Sequence, residues 1–150
     1  MTRARLLLAA GAFLPLPLAL TGCAGDPQEA YCDAVRAHQA DLSEVAASDD
    51  PGAVLGALDA YDDLADKAPR DVTDDWAAVV GPLHALRDAV EDAGVDPSTY
   101  AAEEPPEGLS GTDRDAIEAA AREVGAERTL TAMSSVEQHA LDVCGTPLAR

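Results

Sequence analysis

The sequence predicts an all-α chain arranged as a four-helix bundle, and three observations carry that prediction. Apolar side chains recur every three or four residues along four stretches, the spacing that gathers them on one face of a helix. Residues that open and close helices stand at the borders of those stretches, with Asp-Pro at two of the starts and Pro or Gly at the ends. Nowhere does the chain show the strict alternation of a half-buried strand.

The first helix opens at Asp26-Pro27-Gln28-Glu29, with Asp26 as cap and Pro27 in the first turn. Its stripe is Tyr31, Val35, Leu42 and Val45, and it should end near Ser48, ahead of Asp49-Asp50-Pro51. The second is expected to run unbroken from an Asp50 cap to Pro69. Val54, Leu55, Leu58, Tyr61 and Leu64 face inward, and Asp59, Asp62, Asp63 and Asp66 face water. The third starts at Thr73 and carries Trp76, Val79, Val80, Leu83, Leu86 and Val90. Pro82 falls inside it, but the stripe keeps its phase, which predicts one kinked helix closed by Gly94. Trp76 reads either as core or as an anchor at a membrane interface.

Residues 95–111 break the pattern with an acidic, proline-rich connection containing Glu103-Glu104-Pro105-Pro106-Glu107. Connections beyond about 12–15 residues are uncommon, so this one is either a plain linker or a partner contact. The fourth helix is expected to be capped by Thr112 or Asp113. Ile117, Ala120 and Val124 line its first half, and Leu130, Met133, Val136, Ala140 and Val143 its second. The phase slips at Gly125, which predicts a bend or break there.

Ahead of these helices lies a different kind of segment. Arg3 and Arg5 precede an apolar run from Leu6 to Leu20 that is interrupted by Pro15 and Pro17. A spanning helix needs roughly 20 apolar residues and few prolines, so a cleaved leader fits better. The run ends in Leu20-Thr21-Gly22-Cys23, which resembles the lipobox of bacterial prolipoproteins. The resemblance implies a signal peptide over 1–22, cleavage between Gly22 and Cys23, and a diacylglycerol on the Cys23 sulfur. It further implies a tether over 23–26 and attachment to the extracytoplasmic face of the cell membrane, or the outer membrane in a cell that has two. Two acyl chains hold stably where one is marginal. The rival reading is an ordinary secretory signal with an incidental cysteine. Asn is absent, while Lys and Ile each occur once, as in a GC-rich genome. The whole chain is loosely similar to the small helical lipoproteins of such bacteria, a resemblance that carries no activity with it.

If Cys23 goes to lipid, Cys32 and Cys144 remain as a pair in an oxidising compartment. A disulfide is expected between them; two free thiols or pairing between molecules are the alternatives. The bond would close a loop of about 113 residues, worth roughly 4–5 kcal/mol on the chain-entropy model. A bond between the first and last helices requires an even number of passes, hence an antiparallel up-down bundle over 27–145 with a short tail over 146–150. The disulfide, the Pro69-Arg70-Asp71 turn and the C-terminus then share the membrane end. The Ser48–Asp50 turn and the acidic loop share the far end.

The sequence excludes more functions than it assigns. With 28 acidic against 10 basic side chains the net charge is -18, which repels nucleic acid and anionic lipid. Solubility is the plain meaning of that charge; basic partners or weak cation binding are the further ones. There is no phosphate-binding glycine loop, HExxH, GxSxG or EF-hand spacing, so a non-enzymatic chain without a cofactor is expected. In clasped antiparallel helices His38 and His139 fall at nearly one height, about 9 Å from the disulfide, with directions diverging by about 80°. They read as half-buried structural histidines near Gln39, or as a pH-sensitive or metal-binding layer. His84 reads as structural. The leading functional expectation is a membrane-anchored domain that binds an envelope or extracellular protein. The alternative is a small-ligand or metal carrier using an inter-helix site near His38 and His139.

Overall fold

The computed structural model describes residues 26–50 and 52–150. The signal segment, the Gly22–Cys23 junction and all but the last residue of the 23–26 tether lie outside the described residues, as does Pro51. The described chain is all-helical, with α1 (Pro27–Ala46), α2 (Ala53–Gly56), α3 (Leu58–Lys67), α4 (Thr73–Asp92), α5 (Gly111–Val124) and α6 (Glu127–Cys144). One 3-10 turn, Pro97–Thr99, interrupts the long connection. Cys32 and Cys144 form a disulfide with their Cα atoms 5.2 Å apart, which joins the beginning of α1 to the end of α6.

Local sequence sets most of these borders. Asp26 accepts a hydrogen bond from the Gln28 amide, and Pro27 takes the first helical position, where its missing N–H costs nothing. Ala68 is extended, as the residue before a proline prefers, and α3 ends there. α4 runs without a break through Pro82, burying Trp76, Val79, Leu83, Leu86 and Val90 in phase. Gly94 closes it in the left-handed region (φ 75°), and the Val95 amide reaches back to the Val90 carbonyl.

Several borders and faces differ from expectation. The second helix is two segments, broken at Ala57 just after Gly56, a residue about 1 kcal/mol poorer than Ala within a helix. The break lets Leu55 join one apolar cluster with Leu86, Val90 and Ile117, while Leu58 joins the larger one around Trp76. Asp50 does not cap the helix through its side chain; its carboxylate accepts from the Gly52 and Ala102 amides. The cap of α5 is Ser110, two or three residues earlier than the expected Thr112 or Asp113. Its hydroxyl accepts from the Asp113 amide and donates to the Asp113 carboxylate, a reciprocal pair that an Asp three residues on makes possible. The slip at Gly125 is a true break. Ala126 is extended, and the Glu123 carbonyl at the end of α5 accepts both the Ala126 amide and the Thr129 hydroxyl. Past the break the inward stripe of α6 is Thr129, Ala132, Val136 and Ala140, and Leu130 is turned outward.

α4 packs against α3, α5 and α6, while α1 packs against α3 and α6. Trp76, Tyr31 and Leu64 are the bulkiest of the fully buried side chains; most of the remainder are Val, Leu and Ala. Residues 146–150 turn back at Gly145, which is left-handed, and lie against α1. Leu148 enters the core, Gln39 donates to the Pro147 carbonyl, and the Arg150 amide donates to Ser43.

Replacing both Cys32 and Cys144 by Ser should lower unfolding stability by about 2–5 kcal/mol, read from urea denaturation of oxidised chain and variant. An unchanged midpoint would mean that the bond adds nothing to this fold.

Candidate functional site

Two histidine–carboxylate pairs organise the middle of the molecule. On α3, Asp62 and Asp63 are adjacent and point to different neighbours. His38 of α1 places Nε2 2.9 Å from Asp63, and His84 of α4 places Nε2 2.7 Å from Asp62. The short helix α3 is thereby tied to helices on both sides. Sequence reasoning assigned both aspartates to the wet face, whereas they are half-buried and paired; Asp59 and Asp66 are exposed as expected. Lys67, one turn along α3, also bonds Asp63. The hydrogen bonds from Lys67 and then from His38 hold the Asp63 carboxyl below the usual range.

His139 is separate from this arrangement. Its Nε2 lies 3.4 Å from Asp71 in the turn before α4, and its ring packs edge-on against Tyr31 with centroids 5.6 Å apart. Its Nδ1 is buried without a hydrogen-bond partner. His38 and His139 thus engage different carboxylates on different elements, and Gln39 bonds the backbone of Pro147 rather than either ring. Among the described residues no three His, Cys, Asp or Glu side chains converge as a metal-binding group. Near the disulfide, Trp76 donates to the Tyr31 hydroxyl at 3.2 Å, and the rings of Tyr31 and Tyr61 flank its indole. Trp76 is fully buried, so it is core and not an interfacial anchor. Burial, with the Asp71 charge adding to it against the opposing Trp76 bond, raises the Tyr31 phenol. Burial and then Glu137 raise Tyr61. Both therefore stay protonated at neutral pH.

The chain's grooves are open. One of about 530 Å³ runs between α1 and the α2–α3 segment, lined by His38, Asp41, Glu44, Val45 and Asp59 among others. Another, beside α6, includes Leu130, Ser134 and His139.

The acidic connection is pinned at both ends. On its leading side Asp96 bonds the Ser98 amide and hydroxyl, which holds that carboxyl below its usual range. Tyr100 packs with the Leu55–Val90–Ile117 cluster, and Ala102 donates to Asp50 across the chain. The contact with the 48–52 turn is close. A Cβ on Gly52 would lie 2.5 Å from the Tyr100 carbonyl oxygen, too near for any side chain. On its trailing side Leu109 packs into the same cluster and Ser110 caps α5. Between these fixed points every residue from Ala102 to Gly108 is exposed. Among the described residues no helix is long and apolar enough to cross a membrane. Comparison with protein-family models, with curated proteins and with solved structures gives no match, so any functional reading rests on this chain's own residues.

Asp63 offers a direct electrostatic check. Because folding lowers its pKa, its contribution to stability is present above the ordinary value of 3.8 and is lost as pH falls through the folded value. The pair is substantially exposed, so that contribution is small, about 0–1 kcal/mol. By carboxyl-carbon NMR, Asp63 should titrate below 3.8, and Lys67→Met should raise its midpoint more than His38→Gln does. An unmoved midpoint in Lys67→Met would contradict the pairing.

Proposed function

We propose that this chain is a non-enzymatic lipoprotein, held at the extracytoplasmic face of a membrane through lipid on Cys23, that binds another envelope protein through its acidic connection. In this reading α2 with α3, and α5 with α6, each make one pass of an up-down four-helix bundle. Two facts support that topology: α4 packs against both α5 and α6, and Cys32 is bonded to Cys144. The acidic connection and the 48–52 turn then face away from the membrane.

The observation that carries the binding role is the double anchorage of Ala102–Gly108. An exposed strap with fixed ends loses less conformational freedom on binding than a free loop does. Its Glu103-Glu104-Pro105-Pro106-Glu107 core suits a basic surface with room for a stiff proline pair. The histidines and tyrosines are engaged in packing and pairing, which fits a chain without catalysis.

Cross-linking in native membranes followed by mass spectrometry tests both parts. Replacing 102–108 with Gly and Ser should remove specific partners, and Gly52→Ala should reduce their yield by displacing the strap. Cys23→Ala should move the chain out of the membrane fraction. Identical partner sets for the intact and replaced strap would overturn the binding role, and a membrane-bound Cys23→Ala chain would overturn the anchor.

The groove beside His38 favours a second reading, a carrier of a small cationic ligand or metal, because Asp41, Glu44 and Asp59 line it. Calorimetric titration with zinc separates the two. Heat that disappears in His38→Gln would support the carrier, and no heat at tens of micromolar protein would remove its metal form.

A further inference from the structure

Residues 146–150 are held on α1 by contacts that follow their path rather than their sequence. Gly145, in the left-handed region (φ 64°), turns the chain back from the end of α6. Gln39 donates to the Pro147 carbonyl, and Ser43, one turn further along α1, accepts the Arg150 amide. The Ser43 hydroxyl is aimed for this by its own bond to the Gln39 carbonyl. Both contacts take backbone atoms of the returning segment, and any extended chain offers the same atoms. A single side chain is deeply inserted. Leu148 is 3% exposed, while Pro147 and Ala149 are half-buried.

The seat is larger than its occupant. Beside Leu148 and Ala149 a gap of about 110 Å³ remains between α1, α3 and α6. Leu42, Val45, Tyr61 and Met133 stand on its walls, and exposed Glu137 also borders it. Ala149 is too small to fill it. The segment differs from the rest of the chain in charge as well. Residues 143–150 contain one Arg and no acidic side chain, in a chain with 28 acidic residues.

We propose that this groove is a docking site for an extended segment of another protein, and that residues 146–150 occupy it in cis as a weaker imitation of that segment. The seat defines the chemistry of the incoming chain: Leu at the inserted position, a larger apolar or aromatic residue directly after it, then a basic residue suited to a molecule of net charge -18. A tethered segment competes at an effective concentration on the order of millimolar. An incoming chain therefore displaces it only by fitting better, and the unfilled gap is where the better fit lies. Five residues turning on one glycine, with one inserted side chain, form a unit that opens without unfolding the helices. The Cys32–Cys144 bond holds α1 to α6 while it does so. The proposal is independent of the role given to residues 102–108.

The test is fluorescence anisotropy with a labelled peptide of residues 145–150, capped at both ends and carrying Phe in place of Ala149. It is titrated with the full chain in detergent and with full-length Leu148→Asp, whose charged side chain vacates the seat. The variant should bind the peptide about tenfold tighter than the unaltered chain. Adding Gln39→Ala should weaken that binding by about threefold or more, through loss of the backbone contact. The peptide with Ala at the same position should bind less tightly than the one with Phe. An intact Cys32–Cys144 bond and an unchanged circular dichroism spectrum show that a variant folds, and Leu148→Ala replaces Leu148→Asp should the latter fail that check. No binding to the folded variant overturns the proposal. So does equal binding to the variant and the unaltered chain, or a Phe peptide that binds no better than the Ala peptide.

Discussion

The fold depends on the bond between Cys32 and Cys144, because little else in so lean a core ties its two ends together. The buried side chains are mostly Ala, Val and Leu, with one Trp and two Tyr. Small residues bring helix axes close but remove little apolar surface each, at about 25 cal/mol per Å². A covalent link spanning 112 residues of sequence acts on the unfolded chain instead, cutting the entropy that folding must overcome. The aromatic residues sit where that link is made: Tyr31 precedes Cys32, and its hydroxyl accepts the Trp76 indole proton. Covalent and packing constraints therefore reinforce each other at one end. At the other, a second apolar cluster built on Leu55, Leu86, Val90 and Ile117 closes the molecule without any bond.

Polar pairing supplies the rest of the lateral order. Asp62 and Asp63 sit side by side on α3, yet each turns to a histidine on a different helix. These pairs are half-exposed, so each adds little to stability. What they fix is rotation: α3 cannot turn about its axis without breaking both.

How much of this was legible in the sequence follows from what each signal encodes. The helical periodicity and the Asp-Pro and Gly punctuation are local, and they marked α1, α4 and the break at Gly125 well. The cysteine pairing was reachable because only two cysteines follow Cys23. Several of the failures involve competition between local and distant partners. Asp50 looks like a helix cap, but α2 starts only at Ala53, and the Asp50 carboxylate oxygen that takes the Gly52 amide also takes the distant Ala102 amide. The split at Ala57 follows the weak helix former Gly56, but that it lets Leu55 and Leu58 serve different clusters is something no window of sequence can show. Leu130 fits a helical stripe on paper. After the break, however, the helix restarts in a new phase that buries Thr129 and turns Leu130 outward. Asp62 and Asp63 lie in a run of acids in which nothing local distinguishes a paired carboxylate from a solvated one. The close approach at Gly52 gave no signal beyond an ordinary turn glycine.

The reversal at Gly145 has a practical corollary. Leu148 is seated in the core and the Arg150 amide is bonded to Ser43, so the last residues act as a wedge that completes the packing of α1. A fusion or purification handle joined directly to Arg150 would pull on that wedge.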